Sequence, residues 1–468
     1  MLEPGVFHSN AHSLTRKDLV KLIPKAHLFQ ICLSILTVIW HAKMMESEST
    51  SFAPIQKAVS ASRNRCLIIV ILGALSTISP FAIDMYLPAF PEIAGALHTS
   101  TARISLSLAS YFAGLAAGQL FYGPPLDRFG RKLPMYGGML LFVVASVLCL
   151  GSRSVQWLIA MRFVQALGGC AAGVAAMAMV RDFFHVDETA KIISLLILII
   201  SASPLLAPSV GVFVSTHLGW QWVFIVLASF VVFMMAVSQF FLPEGHRADR
   251  SISLRPGPIF RNYAEVLKEP QFLIYALAGA FAFSGLLVYV SSSPIIFMEV
   301  YHVSQWQFGW IFAGLAVGFI GSNQINVLLL KKFTSQQIFR ATLFVQCPVA
   351  LLFLAGTWSG LLNLPATLVL LFISLSSLGL AYPNAAALSL VPFDHNIGSA
   401  SAMVGFLQIG VSVLASVTIG IFDLHTMMPV ALVMAATSWI ALGILSIGKR
   451  KIHHLRYVDE KDANFLPH

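Results

Sequence analysis

The sequence predicts an all-α membrane protein with twelve transmembrane helices in two pseudo-symmetric six-helix bundles. Hydrophobic residues make up 57% of the 468 residues and charged residues only 10%, whereas a soluble protein carries about 25% charged residues. Apolar runs of about 20 residues recur along the chain, and this length crosses the hydrocarbon core of a bilayer. Lipid offers the backbone no hydrogen-bond partner, and the runs lack the alternation of barrel strands, so we predict helices.

The predicted spans fall into two groups of six. The first bundle occupies residues 63–242, with spans at 66–89, 101–123, 133–151, 156–180, 190–214 and 221–242. A polar and basic linker at 243–271 leads to the second bundle at 272–448, with spans at 272–297, 306–330, 338–357, 362–390, 396–422 and 427–448. Pro88 and Pro294 lie at matching places in the two groups, as do Gly118 and Gly321. This internal repeat favours two parallel halves around a central cavity, the usual plan of a transporter.

Residues 1–62 are predicted to be an N-terminal extension, and two interpretations of it remain open. The segment Ala26–Trp40 is apolar but shorter than a span, and basic residues precede it. It is therefore either a signal-like or interfacial helix, or part of an upstream extension with translation starting at Met44 or Met45.

Lysine and arginine predict the orientation of the spans. Alternate loops are basic, and they contain Arg128, Arg131, Lys132, Arg181, Lys191, Arg247, Arg250, Arg255, Arg261, Lys268, Lys331, Lys332, Arg340, Lys449, Arg450 and Lys451, whereas the opposite loops contain only Arg103 and Arg153. Basic loops stay in the cytoplasm, so both ends of the twelve-span core, including the tail at 449–468, are predicted to be cytoplasmic. The same rule explains the net charge of +9 without nucleic acid, because no basic patch is interleaved with stacking aromatics.

The sequence contains no pattern that predicts a cofactor, a metal or an enzyme site. The five cysteines are scattered without metal-ligand spacing, and no glycine-rich loop with Lys and Ser/Thr could hold ATP phosphates. The histidines lie mostly at span ends and in loops, which disfavours a membrane-bound enzyme. No sizeable soluble domain is present to favour a receptor-like sensor. Transport, if this is the function, must therefore use an ion gradient.

Two charged residues lie within predicted spans. Asp84 lies deep in the first span, and an acid at a helix centre costs about 2.5–3.5 kcal/mol on insertion scales, so such residues usually face a cavity and serve function. It is predicted either to bind and release protons or to contact the substrate electrostatically, although it could instead cap the polar break before Pro88. Arg162 lies within apolar sequence of the fourth span and keeps its charge. It could exchange partners with a nearby acid, or extend to the outer interface.

Four stretches resemble motifs of one family. They are Asp84-Met-Tyr-Leu-Pro-Ala-Phe-Pro-Glu-Ile-Ala94, the loop Gly118–Lys132, Arg162-Phe-Val-Gln-Ala-Leu-Gly-Gly169, and Ser203-Pro-Leu-Leu-Ala-Pro-Ser-Val-Gly211 followed by Gly219-Trp-Gln-Trp222. In this order and spacing they resemble the major facilitator superfamily over about Arg65 to Lys451. More narrowly, they resemble its twelve-helix proton-coupled drug exporters in the bicyclomycin/chloramphenicol-resistance branch. Ala166 and Val212 stand where these motifs often have glycine, which leaves the details of helix packing open.

The resemblance implies roles for three groups of residues. Asp84 and Arg162 are implied in proton coupling. The loop after the second span is implied to be a conformational latch, in which Asp127 and Arg131 match the family's positions. Gly118, Arg128 and Gly130 of the same stretch, and Asp182 after the fourth span, are predicted to belong to this latch. Pro204, Pro208 and Gly211 are implied to form the bent fifth helix of exporters. Proline bends a helix by removing a backbone bond, and small residues let helices approach closely.

The substrate cavity is predicted from polar-tipped, aromatic and amide side chains on spans that should face the centre. Aromatic side chains would make an adaptable pocket of low selectivity, and the candidates are Tyr86, Tyr111, Gln165, Phe283, Tyr289 and Gln408. We therefore predict a monomeric proton-coupled multidrug exporter of the bacterial inner membrane, which moves small amphipathic, drug-like compounds and protons by alternating access. An importer or metabolite exchanger with the same architecture remains the alternative.

Overall fold

The computed structural model describes residues 65–184, 186–245, 256–393, 397–422 and 426–448. Every regular element among these residues is helical, and twelve helices are long and apolar enough to cross a membrane. The predicted all-α fold with twelve spans is therefore confirmed. The predicted extension at 1–62 and tail at 449–468 lie outside the described residues, as does part of the predicted linker.

The first six spans cover residues 65–241. Span 1 comprises Arg65–Asp84, the 3-10 turn Leu87–Ala89 and Phe90–Ala96. Spans 2, 3 and 4 are Thr101–Phe129, Lys132–Leu150 and Val155–Phe183. Span 5 is divided into Val186–Ser201 and Ser203–Leu218, and span 6 is Gln221–Phe241.

The second six spans cover residues 270–448. Span 7 is Pro270–Pro294 with a π-helical end at Ile295–Val300. Spans 8, 9 and 10 are Gln305–Leu329, Ser335–Trp358 and Leu364–Leu390. Spans 11 and 12 are Ile397–Phe422 and Met428–Gly448.

Short polar residues begin several spans. Ser304 and Thr334 each form a capping box. The hydroxyl of the cap residue accepts from the backbone N–H of the glutamine three residues later, and that glutamine's side-chain oxygen accepts from the backbone N–H of the cap residue. Ser154 and Asn363 cap spans 4 and 10 with one hydrogen bond each. These caps satisfy backbone donors that a helix start would otherwise leave unpaired.

Glycines bring equivalent helices together in the two halves. A Cβ on Gly114 of span 2 would overlap the Phe163 carbonyl of span 4, and a Cβ on Gly379 of span 10 would overlap the Phe319 carbonyl of span 8. Spans 2 and 4 occupy the same places in the first half as spans 8 and 10 in the second. The repeat is therefore visible in backbone contacts that only small residues allow.

The linker contains a helix that the sequence analysis did not predict, Pro256–Leu267. Its Tyr263 and Val266 are buried beside Met403 and Val404 of span 11, and the Tyr263 hydroxyl donates to the Leu120 carbonyl of span 2 at 3.2 Å. The linker helix therefore contacts a span of each half. The two halves also meet directly, span 2 against span 11 and span 5 against span 8.

Candidate transport site

Asp84 ends the regular α-helix of span 1 and is buried, with 6% of its surface exposed. The Ser203 hydroxyl donates to the Asp84 carboxylate at 3.1 Å. Ser203 begins the second segment of span 5, directly after the interruption at Ala202, and Pro204 occupies the first turn of that segment. Since proline at this position has no backbone N–H to satisfy and a backbone angle suited to a helix start, Pro204 explains why the new segment begins where it places Ser203.

Gly211 sets the distance between spans 1 and 5. A Cβ at this position would overlap the Met85 carbonyl oxygen and lie 2.9 Å from the Met85 carbonyl carbon. Met85 follows Asp84 in the chain. The close approach at Gly211 therefore brings span 5 against the backbone that carries the acid. Pro208 is also buried in this segment.

Arg162 of span 4 is fully buried in the first half. Its guanidinium donates to the Gln165 side-chain oxygen at 2.6 Å and to the Ala82 carbonyl at 3.1 Å. The guanidinium carbon lies 4.4 Å from the centre of the Tyr86 ring and 4.1 Å from that of Tyr111. Aromatic faces attract a cation most strongly where water is excluded, so the two tyrosines form an aromatic cage around the charge.

The structure does not pair Arg162 with Asp84. Among the described residues, the acceptors of the guanidinium are an amide and a backbone carbonyl, while the hydrogen-bond partner of Asp84 is Ser203. The Arg162 Nε is buried without a hydrogen-bond partner. The exchange of partners between the two residues stays a prediction.

Three predicted cavity residues lie in the polar core around Arg162. Gln165, which accepts from Arg162, donates through its side-chain Nε2 to the Ser146 hydroxyl at 2.6 Å. The Tyr86 hydroxyl forms a hydrogen bond with the Ser107 hydroxyl at 2.8 Å. Tyr86, Tyr111 and Gln165 are each buried, with 0% of their surface exposed. They therefore pack inside the first half in this conformation and do not line an open cavity.

The other predicted cavity residues belong to the second half and lie apart. The Tyr289 ring of span 7 stacks on Phe312 at 5.8 Å, and its buried hydroxyl has no hydrogen-bond partner. Phe283 contacts the Tyr382 ring at 5.0 Å, and Gln408 is buried in span 11.

The predicted latch residues form a compact charge cluster. Arg131 donates to Asp182 through Nε at 2.8 Å and through Nη2 at 3.3 Å, and it also pairs with Asp127. Burial opposes its charge, but the hydrogen bonds and charges of Asp182 and then of Asp127 outweigh burial and raise the pKa of Arg131. Gly130 has a φ of 82° at the turn between spans 2 and 3, a conformation that glycine adopts without strain.

Two more latch residues have different contacts. The Arg128 guanidinium lies over the neighbouring Phe129 ring at 5.8 Å. Gly118 lies deeper in span 2, away from the turn, and a Cβ there would come 2.6 Å from the Cys170 Cβ. Gly118 therefore acts in helix packing and not in the charge cluster itself.

The sequence analysis missed Glu244 in this cluster. Its Oε1 accepts from the backbone N–H of Arg131 at 2.6 Å and of Lys132 at 3.1 Å. It thus satisfies donors at the start of span 3, where a negative charge also matches the helix dipole. Since Glu244 follows span 6, more than 100 residues later in the chain, no local signal connects the two.

Gln305 was also missed, and it links the halves at the face opposite the basic loops. Its Nε2 donates to the Pro88 carbonyl of span 1 at 3.1 Å, and its Oε1 accepts from the Thr216 hydroxyl of span 5 at 3.1 Å. One side chain at the start of span 8 therefore holds two spans of the other half. This face is closed at these contacts.

Two six-helix halves that meet around a buried acid, with a charge cluster at one face and a polar bridge at the other, define a membrane transporter. The sequence model of the major facilitator superfamily matches residues 72–416, and the chain belongs to that family. It is 30% identical over 387 residues to the bicyclomycin resistance protein homolog of Haemophilus influenzae, covering 81% of this chain and 95% of that protein. It is also 32% identical over 339 residues to the multidrug resistance protein MdtL of Escherichia coli O45:K1, covering 72% of this chain and 84% of that protein.

Solved structures share the fold at low identity. A bacterial homolog of the human lysosomal transporter Spinster, in an inward-facing and occupied conformation, has a TM-score of 0.66 at 14% identity, covering 85% of this chain and 100% of that one. A D-xylose–proton symporter has a TM-score of 0.63 at 14% identity, covering 81% and 97%. The predicted resemblance to the bicyclomycin-resistance branch is therefore confirmed, and the chain is a multi-pass membrane protein.

Proposed function

We propose that this transporter exports small amphipathic, drug-like compounds across the bacterial inner membrane in exchange for protons. The position of Asp84 carries the proposal. This buried acid accepts a hydrogen bond from Ser203 of its own half, and the turn Leu87–Ala89, which follows it in span 1, contacts spans 7 and 8 of the other half. An acid placed where two moving halves meet can couple its protonation to their relative position.

Asp84 is proposed to take a proton from outside and release it to the cytoplasm, alternating with the substrate. Arg162 supplies a fixed positive charge in the same half. The movement of one proton through a membrane potential of 100 mV provides about 2.3 kcal/mol.

The latch cluster is proposed to hold the first half together at the cytoplasmic face throughout this cycle. Arg131, Asp127, Asp182 and Glu244 join the ends of spans 2, 3, 4 and 6. Their mutual contacts hold the first half rigid, so that it moves as one body against the second. The export direction is supported by the relatives whose names refer to bicyclomycin and multidrug resistance.

Everted vesicles from a pump-deficient host test the proposal. Respiration acidifies their interior, and an antiporter that takes up bicyclomycin or another amphipathic antibiotic should release protons, which a pH-sensitive dye reports. We expect Asp84→Asn to abolish this release, because asparagine can still accept from Ser203 but cannot titrate. Glu265→Gln, which removes an exposed acid of the linker helix, is the matched control and should behave as wild type.

Either of two outcomes would contradict the proposal. Normal proton release by Asp84→Asn at normal membrane levels would remove Asp84 from coupling. Energised accumulation in right-side-out vesicles, with none in everted ones, would instead indicate an importer or exchanger.

A further inference from the structure

A long apolar groove lies between spans 8 and 9, with span 10 as its floor. Its larger part has a volume of about 630 Å³, and residues of all three spans line it, among them Leu329, Val345 and Phe372. A second part of about 350 Å³ shares Phe372 and Ile373 with the first and continues to Ile311. Ile311 and Leu329 are separated by about 27 Å of helix at 1.5 Å per residue, so the groove follows much of the membrane thickness.

The groove follows from the way three spans pack. Spans 8 and 9 each pack on span 10. Span 8 approaches span 10 closely at Gly318, where a Cβ would come 2.8 Å from both Phe372 and Ser376. The apolar lining residues are open to the outside of the bundle: Val345 of span 9 is 46% exposed and Phe372 of span 10 is 44% exposed. Within a membrane such side chains face lipid.

Two lysines stand at one end of the groove. Lys331 and Lys332 are exposed and lie in the chain between the lining residues Leu329 and Phe333. Their turn is fixed, because the backbone N–H groups of Lys332 and Phe333 both donate to the Leu329 carbonyl at 2.9 Å. The backbone of the two lysines is thus fixed between two residues that line the groove.

The sequence around these lysines is basic. Residues 301–393, which include spans 8, 9 and 10 and the loops between them, contain no Asp or Glu, and Arg340 is a further cation among them. Basic residues at a membrane face determine topology. Here two exposed lysines also stand in the turn between residues that line an apolar groove, a combination that suits an anionic ligand with an apolar part.

We propose that this lysine-ended groove, formed by spans 8, 9 and 10 and Lys331–Lys332, binds one anionic phospholipid. An acyl chain would lie in the groove and the phosphate would contact the two lysines. Basic pockets between membrane helices recognise anionic lipid headgroups in this way, and an acyl chain in the groove would gain van der Waals packing against its walls. The proposal is independent of the transported compound.

Lipid binding can be measured on the full-length protein in phosphatidylcholine nanodiscs with increasing phosphatidylglycerol. Bound phosphatidylglycerol, counted by native mass spectrometry, should saturate at one tightly held molecule. Lys331→Gln with Lys332→Gln should weaken its binding about thirtyfold, the product of roughly fivefold per basic residue. Ala341→Phe should also displace the lipid, because Ala341 is an exposed lining residue.

Two controls separate this site from general attraction. Arg261→Gln with Lys268→Gln removes two exposed cations of the linker region, and Ala355→Phe adds the same bulk to span 9 outside the groove. Both should leave the tight molecule in place. Equal retention of phosphatidylcholine and phosphatidylglycerol by the wild type, or equal weakening by the two double variants, would overturn the proposal.

Discussion

Arg162 carries a permanent charge in a site where, among the described residues, its hydrogen-bond acceptors are neutral. Two tyrosine rings offset part of the burial cost, since a desolvated cation–π contact contributes about 2 kcal/mol. An isolated charge in an apolar medium costs far more than this. The site is therefore poised to attract an anion, and Asp84 lies two residues after the Ala82 carbonyl to which Arg162 already bonds.

We expect Arg162→Lys to reduce drug-dependent proton release at least tenfold. Lysine keeps the charge but lacks the planar fork that reaches Gln165 and Ala82 while lying between two rings. Arg340→Lys is the matched control, because Arg340 also lies over a ring, that of Phe344, but is exposed. Wild-type transport by Arg162→Lys would show that the charge alone is sufficient.

At the residue scale, the sequence could assign a side chain to a span, but it could not predict which side chains of other spans it contacts. Asp84 and Arg162 were found because a charge in an apolar run is a strong local signal. Tyr86 and Tyr111 were predicted as cavity residues, yet they enclose Arg162, and this depends on how spans 1, 2 and 4 pack. Glu244 was missed because its partner, Arg131, is distant in sequence.

Span 5 positions the site through its interruption and through one glycine. The interruption directs Ser203 to Asp84, and Gly211 allows the backbone after Ser203 to lie against Met85. A continuous helix with larger residues could not make both contacts. The irregular element is therefore the one that fixes the geometry of the acid.

Gly211→Ala should impair transport and lower stability. Its new Cβ would overlap backbone, so the spans must separate, and such overpacking typically costs about 1–3 kcal/mol. Gly137→Ala in span 3 is the control, since no atom lies within 4 Å of a Cβ there. Thermal unfolding in detergent and vesicle assays should show a loss for the first variant and none for the second.

At the element scale, the sequence predicted the spans well and the linker poorly. Runs of apolar residues mark membrane helices without tertiary information. The helix Pro256–Leu267 lies in polar sequence, and only its buried face on span 11 reveals it. Its Tyr263 and Val266 are three residues apart, a helical spacing that could have indicated it.

The whole molecule is closed on the face opposite the basic loops by Gln305. Its two hydrogen bonds to Pro88 and Thr216 join span 8 to spans 1 and 5. Pro88 is four residues after Asp84, so the bridge and the acid act on one short segment of span 1. The alternating access that we propose requires this bridge to break in each cycle.

A cross-link at the bridge should therefore stop transport. Thr216→Cys with Gln305→Cys, joined by a short reducible bifunctional reagent, should lose proton release and regain it after reduction. Each single cysteine variant treated in the same way should remain active. Continued transport by the cross-linked double variant would argue against separation of the halves at this face.

The linker helix has a practical consequence for following this cycle. Tyr263 rests on span 11 and donates to the Leu120 carbonyl of span 2, two elements that must part if the basic face opens. A fluorine atom on that phenol ring would sense both neighbours at once. Its resonance could distinguish the open and shut populations without a label near the acid or the drug.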